Sequence, residues 1–394
     1  EVMEFGIYRL DYEVGDNADY IITLAEGWNL ISSPYAPENG DIVSMFGRLA
    51  GRDNIIIAKD YEGHFYLPWQ FNNIPDWDVN QGYQIKLNRA DGLFITGEEV
   101  AVDRAIPLPE GWSMVSYFPD VDVPAETAFA NITEQLLIVK DEDGNFYLPE
   151  WEFNGIPPLH RGEGYQVKAS EEVELIWNVE EDERQAERQV VQPTPDHFIS
   201  VAPTGKSMSV LLKNVQNAGE VGAFTEGGLC VGAAVITGGD VGLAVWGDDP
   251  STDETDGLIE GEAFELRMWN AGSEFDLTLS SVLEGSGLIY QTDGLLVLEA
   301  EADITIPVDF FLSGGCPNPF NSATRINFGL PEAGDVSIKV YDVSGRFVTT
   351  LVSGSAAAGR HSVVWDASGN ASGVYILQMK ASGLNANQKL AFVK

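Results

Sequence analysis

The sequence predicts an all-β chain of tandem β-sandwich domains, and three observations carry that reading. Its apolar runs are short and rich in Val, Ile, Tyr, Phe and Trp; Asp-Gly, Glu-Gly and Pro punctuate them; and a whole segment occurs twice. At 394 residues the chain exceeds a single hydrophobic core, so several domains are expected. Hydrophobic residues make up 44%, which is a globular composition despite a formal net charge of -39. That charge argues against nucleic acid, whose phosphates need clustered Lys and Arg, and disfavours an anionic membrane surface. No apolar run approaches the roughly 20 residues of a membrane-spanning helix.

Residues 1–23 form an N-terminal segment in which "EVMEFGIYRLDYEV" alternates like a strand. It reads as an edge strand of the first domain, with addition to a neighbouring subunit as the alternative. The chain opens on Glu1 and not Met, so a leader or longer N-terminal part is expected upstream.

Two β-repeats follow, 24–98 and 99–178. "LAEGWNLISSPY" is answered by "LPEGWSMVSYFP", "KDYEGHFYLPWQFNNIP" by "KDEDGNFYLPEWEFNGIP", and "GYQIK" by "GYQVK". The spacing of 81 to 84 residues marks a duplicated small domain, longer than a solenoid repeat. "IVKDEDGNFYLP" predicts a hairpin turning near Asp143-Gly144. Short helices are predicted only in 41–50 and 125–136, at matching places in the two repeats.

Residues 179–196 are charged, then Pro-punctuated, and read as a linker. The segment 197–308 alternates apolar and polar residues like a β-sandwich and carries an acidic loop. The tail, 311–394, has the same alternation: Val336, Ile338 and Val340 are expected to face one core. It holds four acids against seven bases, a net +3 beside the strongly acidic remainder. Tail-to-body self-association is therefore expected.

The tail is similar to the type IX secretion system sorting domain, type A, over about 80 residues. Its matching residues are Pro317, Asn318, Pro319, Phe320 and Asn321, then Thr324, Ile326 and Phe328, Tyr341 and Asp342 with Gly345 and Arg346, Trp365 with Asp366, Gly373 with Tyr375, and the terminal "KLAFVK". Where that family usually has an aromatic residue before Pro-Asn-Pro, this chain has Gly314-Gly315-Cys316. The resemblance implies an Ig-like fold for the tail, so the chain is read as tandem β-sandwich/Ig-like domains. It further implies passage through the periplasm to the outer cell surface or medium, with the type IX secretion machinery as partner. The upstream modules resemble repeats of secreted proteins that carry such tails.

Catalytic chemistry is not announced. The sequence contains no His-Glu-x-x-His, Gly-x-Ser-x-Gly or Cys-x-x-Cys. Of the four histidines, His64 corresponds to Asn145 and His160 to Asp78 in the other repeat, His361 lies in the tail, and His197 stands alone beside the linker. With two cysteines there is no disulfide scaffold, and Cys230 in "GGLCVGAAV" reads as a buried free thiol. Six carboxylates in the acidic loop, Asp248, Asp249, Asp253, Asp256, Glu260 and Glu262, are candidate Ca2+ ligands, against the simpler reading of a solvated loop. Tyr66, Trp69, Tyr147 and Trp151 are candidates for stacking on sugar rings, against a core role for aromatics at strand alternation. The resulting expectation is a secreted, non-enzymatic structural or adhesive surface protein, of the kind that forms a subunit of an extracellular fibre or layer. The alternative is the non-catalytic carbohydrate-binding and sorting part of a longer hydrolase.

Overall fold

The computed structural model describes residues 19–179, 193–215, 218–270, 273–302, 309–316 and 318–393. The N-terminal strand expected in residues 1–14, most of the linker, and Pro317 lie outside them. Among the described residues strands dominate, as the composition predicts, and helices are limited to short turns such as Ile42–Met45, Gly47–Gly51 and Ala125–Ala128. The chain divides into two compact units, Glu1–Val139 with Pro158–Glu187, and Lys140–Pro157 with Arg188–Lys394.

In the first unit, the first repeat forms an antiparallel sheet in the order Gly27–Ile31, Tyr83–Leu87, Ile55–Lys59, Phe65–Leu67, Phe71–Asn72. Tyr20–Leu24 pairs with Asp91–Ile95, and Ile106–Leu108 pairs with Val173–Leu175 at the corresponding place in the second repeat. Gly111–Ser116 pairs with Gly164–Ala169 as Gly27–Ile31 pairs with Tyr83–Leu87. The Asn of "GWN" is buried because it closes the turn before its own strand: Asn29 Oδ1 accepts from the Ala25 amide at 2.7 Å and its Nδ2 donates to the Ala25 carbonyl at 3.1 Å. The Trp of the motif lies under a lysine, Trp28 under Lys59 and Trp112 under Lys168.

The two repeats meet through equivalent residues. Ile31 bridges Glu163 while its counterpart Val115 bridges Gln81, the counterpart of Glu163. The Ser32 amide donates to the Gly162 carbonyl at 2.8 Å, and the Ser116 amide to Asn80 at 3.1 Å. This is an isologous contact inside one chain, and it explains the shared glycine of Gly-Tyr-Gln. A Cβ on Gly82 would stand 3.2 Å from the Val115 carbonyl oxygen, and one on Gly164 would stand 3.0 Å from that of Ile31. Gly164→Val is therefore expected to lower stability by about 1–3 kcal/mol in a denaturant titration, through overpacking of this backbone contact.

The second unit holds a sandwich and the tail. The sandwich strands run in the order Cys230–Ile236, Gly219–Thr225, Phe264–Asn270, Ser273–Glu284, Leu295–Ala302, Ser207–Val215, Gly239–Trp246. Met208, Val210 and Leu212 face Val221, Leu266 and Met268 in its core. Cys230 is a buried free thiol, and burial raises its pKa to about 11, which makes it a poor nucleophile. In the tail, Phe311–Cys316, Ala323–Leu330 and Gly359–Asp366 form one sheet. Phe347–Ala356, Gly334–Asp342, Gly373–Ala381 and Leu384–Phe392 form the other. Val336, Ile338 and Val340 do face the core between them, with Trp365, Leu377 and Phe392.

Candidate functional site

The acidic loop folds upon itself. Asp248 Oδ1 accepts from the Asp256 amide at 3.0 Å, Asp256 Oδ1 from the Asp249 amide at 2.8 Å, and Asp249 Oδ1 from the Ser251 amide at 2.9 Å. Glu262 accepts from the Ile259 amide and Glu260 from the Thr292 amide. Asp249 is buried, whereas Asp253 is exposed. Five of these carboxylates thus cap backbone amides, and the candidate Ca2+ set is not among the groups of described residues whose ligand atoms lie close enough to share an ion. Among the described residues, the one trio of ligand atoms close enough to share an ion is Asp60, Glu62 and His64. That trio has a structural explanation: Asp60 takes the His64 amide at 2.9 Å and Nδ1 at 2.7 Å, as Asp141 takes the Asn145 amide and Nδ2, both at 2.8 Å. Imidazole and amide brace the same hairpin turn.

The four sugar-stacking candidates separate by burial. Tyr66 and Tyr147 are core side chains at 3% and 6% exposure and present no ring face to a ligand. Strand alternation points them inward, while Trp69 and Trp151 fall in the turn that follows. Trp69 is 74% exposed. Trp151 is held in the second unit, where its Nε1 donates to Glu284 at 2.9 Å and Lys213 Nζ lies 5.7 Å from the ring centre.

Hairpin Lys140–Pro157 packs on the outer face of the sandwich. Lys140 is buried, donating to Asp293 at 2.7 Å and to the Ser207 carbonyl at 3.1 Å. Phe146 and Phe153 lie against Gly242, and Gly144 against Ala244 and Trp246. A cleft of about 330 Å³ remains along this seam, bordered by Asp143, Asn145, Phe153, Ser200 and Trp246.

The sorting-motif residues mostly build the tail. Asn318 Nδ2 donates to the Lys389 carbonyl at 2.9 Å and its Oδ1 accepts from the Ala391 amide at 2.8 Å, which pins the start of the tail to its last strand. Pro319 follows Asn318 through a cis peptide. Phe320 packs against Trp365 and Phe392, and Trp365 against Tyr375, whose hydroxyl donates to the Ala371 carbonyl at 2.6 Å. Asp342 accepts from the Ser344 and Arg346 amides around Gly345, and Asp366 from the Ser368 amide. Tyr341 meets Phe347 edge-on; Asn321 is exposed, as is Gly373 at the start of its strand.

A buried polar cluster joins tail to sandwich, and no sequence pattern foreshadows it. Glu274, 5% exposed, pairs in the sheet ladder with Arg360 of the tail. Its Oε1 takes His197 Nε2 at 2.7 Å, Arg325 Nη1 at 3.4 Å and a close hydrogen bond from the Ser362 hydroxyl. Burial pushes the Glu274 carboxyl up, but these three partners outweigh it and hold the group below the usual carboxylate range. His197 is thus not solitary: its ring stacks on Trp269 at 4.9 Å, and its amide donates to Glu220. Arg360 also reaches Asp276 at 3.3 Å. Basic residues of the tail therefore meet acids of the sandwich within a single chain. The three partners are separated by 51 to 88 residues from Glu274, so only the fold assembles them.

A family model, the FlgD Ig-like domain, matches residues 318–384. No curated protein matches the sequence. Among solved structures the chain is similar to a biofilm-associated protein BSP domain, at 11% identity and a TM-score of 0.19, over 94% of this chain and 57% of that one. It is also similar to dimeric latent PorU from Porphyromonas gingivalis, at 10% identity and a TM-score of 0.18, over 66% of this chain and 30% of that one. A tetra-tandem repeat from the extending region of a large adhesion protein gives 12% identity and a TM-score of 0.16, over 92% and 93% of the two chains. Scores this low carry no argument. The tail, over residues 318–384, matches the FlgD Ig-like family, and its strands in two packed sheets agree with that match.

Proposed function

We propose that this chain is a secreted, non-enzymatic structural or adhesive protein of the cell surface, delivered through its tail by the type IX secretion system. The observation that carries the reading is the tail itself. An Ig-like domain with its own buried core holds Asn318 against its last strand, and most of the described residues that resemble the sorting domain help to build it. The remaining β-modules suit a scaffold, because the two repeats meet through equivalent residues and the Lys140–Pro157 hairpin packs on the sandwich. Tail docking through Glu274 favours a tail that stays with the body after export.

The test is made in a bacterium possessing that secretion system. The full chain should become accessible to protease on intact cells, and a chain ending before residue 311 should remain in the periplasm. Residues 311–394 appended to a foreign periplasmic protein should carry it to the surface, which separates addressing from folding of the body. Surface delivery of the shortened chain at the full-length level would refute the proposal.

A further inference from the structure

We propose that the hairpin of the first repeat is a docking site for the tail domain of a second copy of this chain, a contact that deepens the structural reading above and rests on it. The chain contains its own control, since the same hairpin occurs twice. Lys59, Gly63, Phe65, Trp69 and Phe71 correspond to Lys140, Gly144, Phe146, Trp151 and Phe153. In the second repeat the hairpin is covered by an outer sheet face. A Cβ on Gly144 would meet Ala244 Cβ at 2.4 Å, and Phe146 and Phe153 are 1% and 9% exposed. In the first repeat a Cβ on Gly63 would meet nothing within 4 Å. There Phe71 is 47% and Trp69 74% exposed, with the Phe65 and Phe71 rings paired at 4.9 Å. Neighbouring exposed aromatics on a rigid turn are the composition of an interface anchor.

What covers the second hairpin defines the chemistry of the missing cover: the outer face of a sheet, small side chains under the phenylalanines, and a lysine over the tryptophan. Within this sequence the tail offers such a face. Val336, Ile338 and Val340 point into its core, so Ser337 and Lys339 point outward. Register places Gln378 beside Lys339, and Lys380 beside Ser337; Asn387 and Lys389 extend the same face on the last strand. Lys380 and Lys389 are exposed, and one acid, Asp335, lies at the end of this face. The charges are complementary, since residues 24–98 hold ten acids and five bases while the tail is net +3. The hairpin and the tail face are different surfaces, so the contact is heterologous, and repeated copies would extend into an open chain.

The experiment is sedimentation velocity of the purified full chain over rising concentration at low and high salt. Salt-sensitive oligomers are expected, and both Trp69→Asn, which tolerates the left-handed backbone of that turn, and the triple variant Lys339→Gln, Lys380→Gln, Lys389→Gln should weaken association about tenfold or more. Mixing the two variants supplies one intact hairpin and one intact tail face, so the mixture should form dimers that do not grow further. A wild-type chain that stays monomeric, variants that assemble like wild type, or a mixture that forms no dimer would each overturn the proposal. A monomer that still reaches the cell surface would overturn this contact and leave the proposed function standing.

Discussion

Replacing Glu274 with alanine is expected to destabilise the second unit by about 2–4 kcal/mol, because it removes a buried acceptor from partly buried partners contributed by three parts of the chain. His197, Arg325 and Ser362 all end on the same carboxylate oxygen, and Glu274 is 5% exposed. Denaturant unfolding measures the loss, and limited proteolysis between residues 302 and 311 reports whether the tail has detached. The same group fixes the direction of the pH response. A carboxyl held below its ordinary value stabilises the fold above the unfolded pKa, about 4.3 for glutamate, and that contribution is lost as pH falls through the lower folded value. The neighbours reinforce this sign: the Arg325 guanidinium faces Glu274 directly, Arg360 pairs with Asp276 nearby, and the His197 ring hydrogen-bonds the carboxylate. The junction should hold at neutral and mildly acidic pH and loosen only in stronger acid, read by Trp269 fluorescence. Arg325→Gln should shift that acid midpoint upward; an unchanged midpoint would show that Arg325 does not stabilise the carboxylate.

The second large effect compares two equivalent glycines. Gly63→Ala and Gly144→Ala both place a side chain at positive φ, +88° and +81°, a backbone cost of about 1–2 kcal/mol in each. Only at Gly144 does the new methyl strike Ala244 and Trp246, so Gly144→Ala should cost about 1–3 kcal/mol beyond Gly63→Ala. Equal losses in parallel denaturation curves would mean that the second hairpin is not held against the sandwich in solution.

Local chemistry made much of the fold legible. Alternating residues such as Val336, Ile338 and Val340 declare which face is buried, Asp-Gly with flanking strands declares a hairpin, and repetition of a segment declares a repeated domain, because each signal lies within a few residues of its physical cause. The candidate sites were less legible for the same reason. Six carboxylates close in sequence suggested a metal, but whether they converge or cap amides depends on backbone direction, which composition does not encode. Tyr66 and Trp69 belong to one short motif, yet one is core and the other exposed, since Tyr66 lies on the strand and Trp69 in the turn that follows it.

The sequence by itself determined that this is an all-β chain with a duplicated module, because strand period, turn residues and motif spacing are local properties, while its resemblance to a known family implied the Ig-like fold of the tail. Only the tertiary structure decided what the parts do to one another. It joined Glu274 to His197, Arg325 and Ser362, turned Gly82 and Gly164 into a point of close backbone approach, and covered one of two matching hairpins. Those outcomes depend on contacts between residues distant in sequence, where burial and charge pairing are settled by which surfaces the folded chain brings within reach.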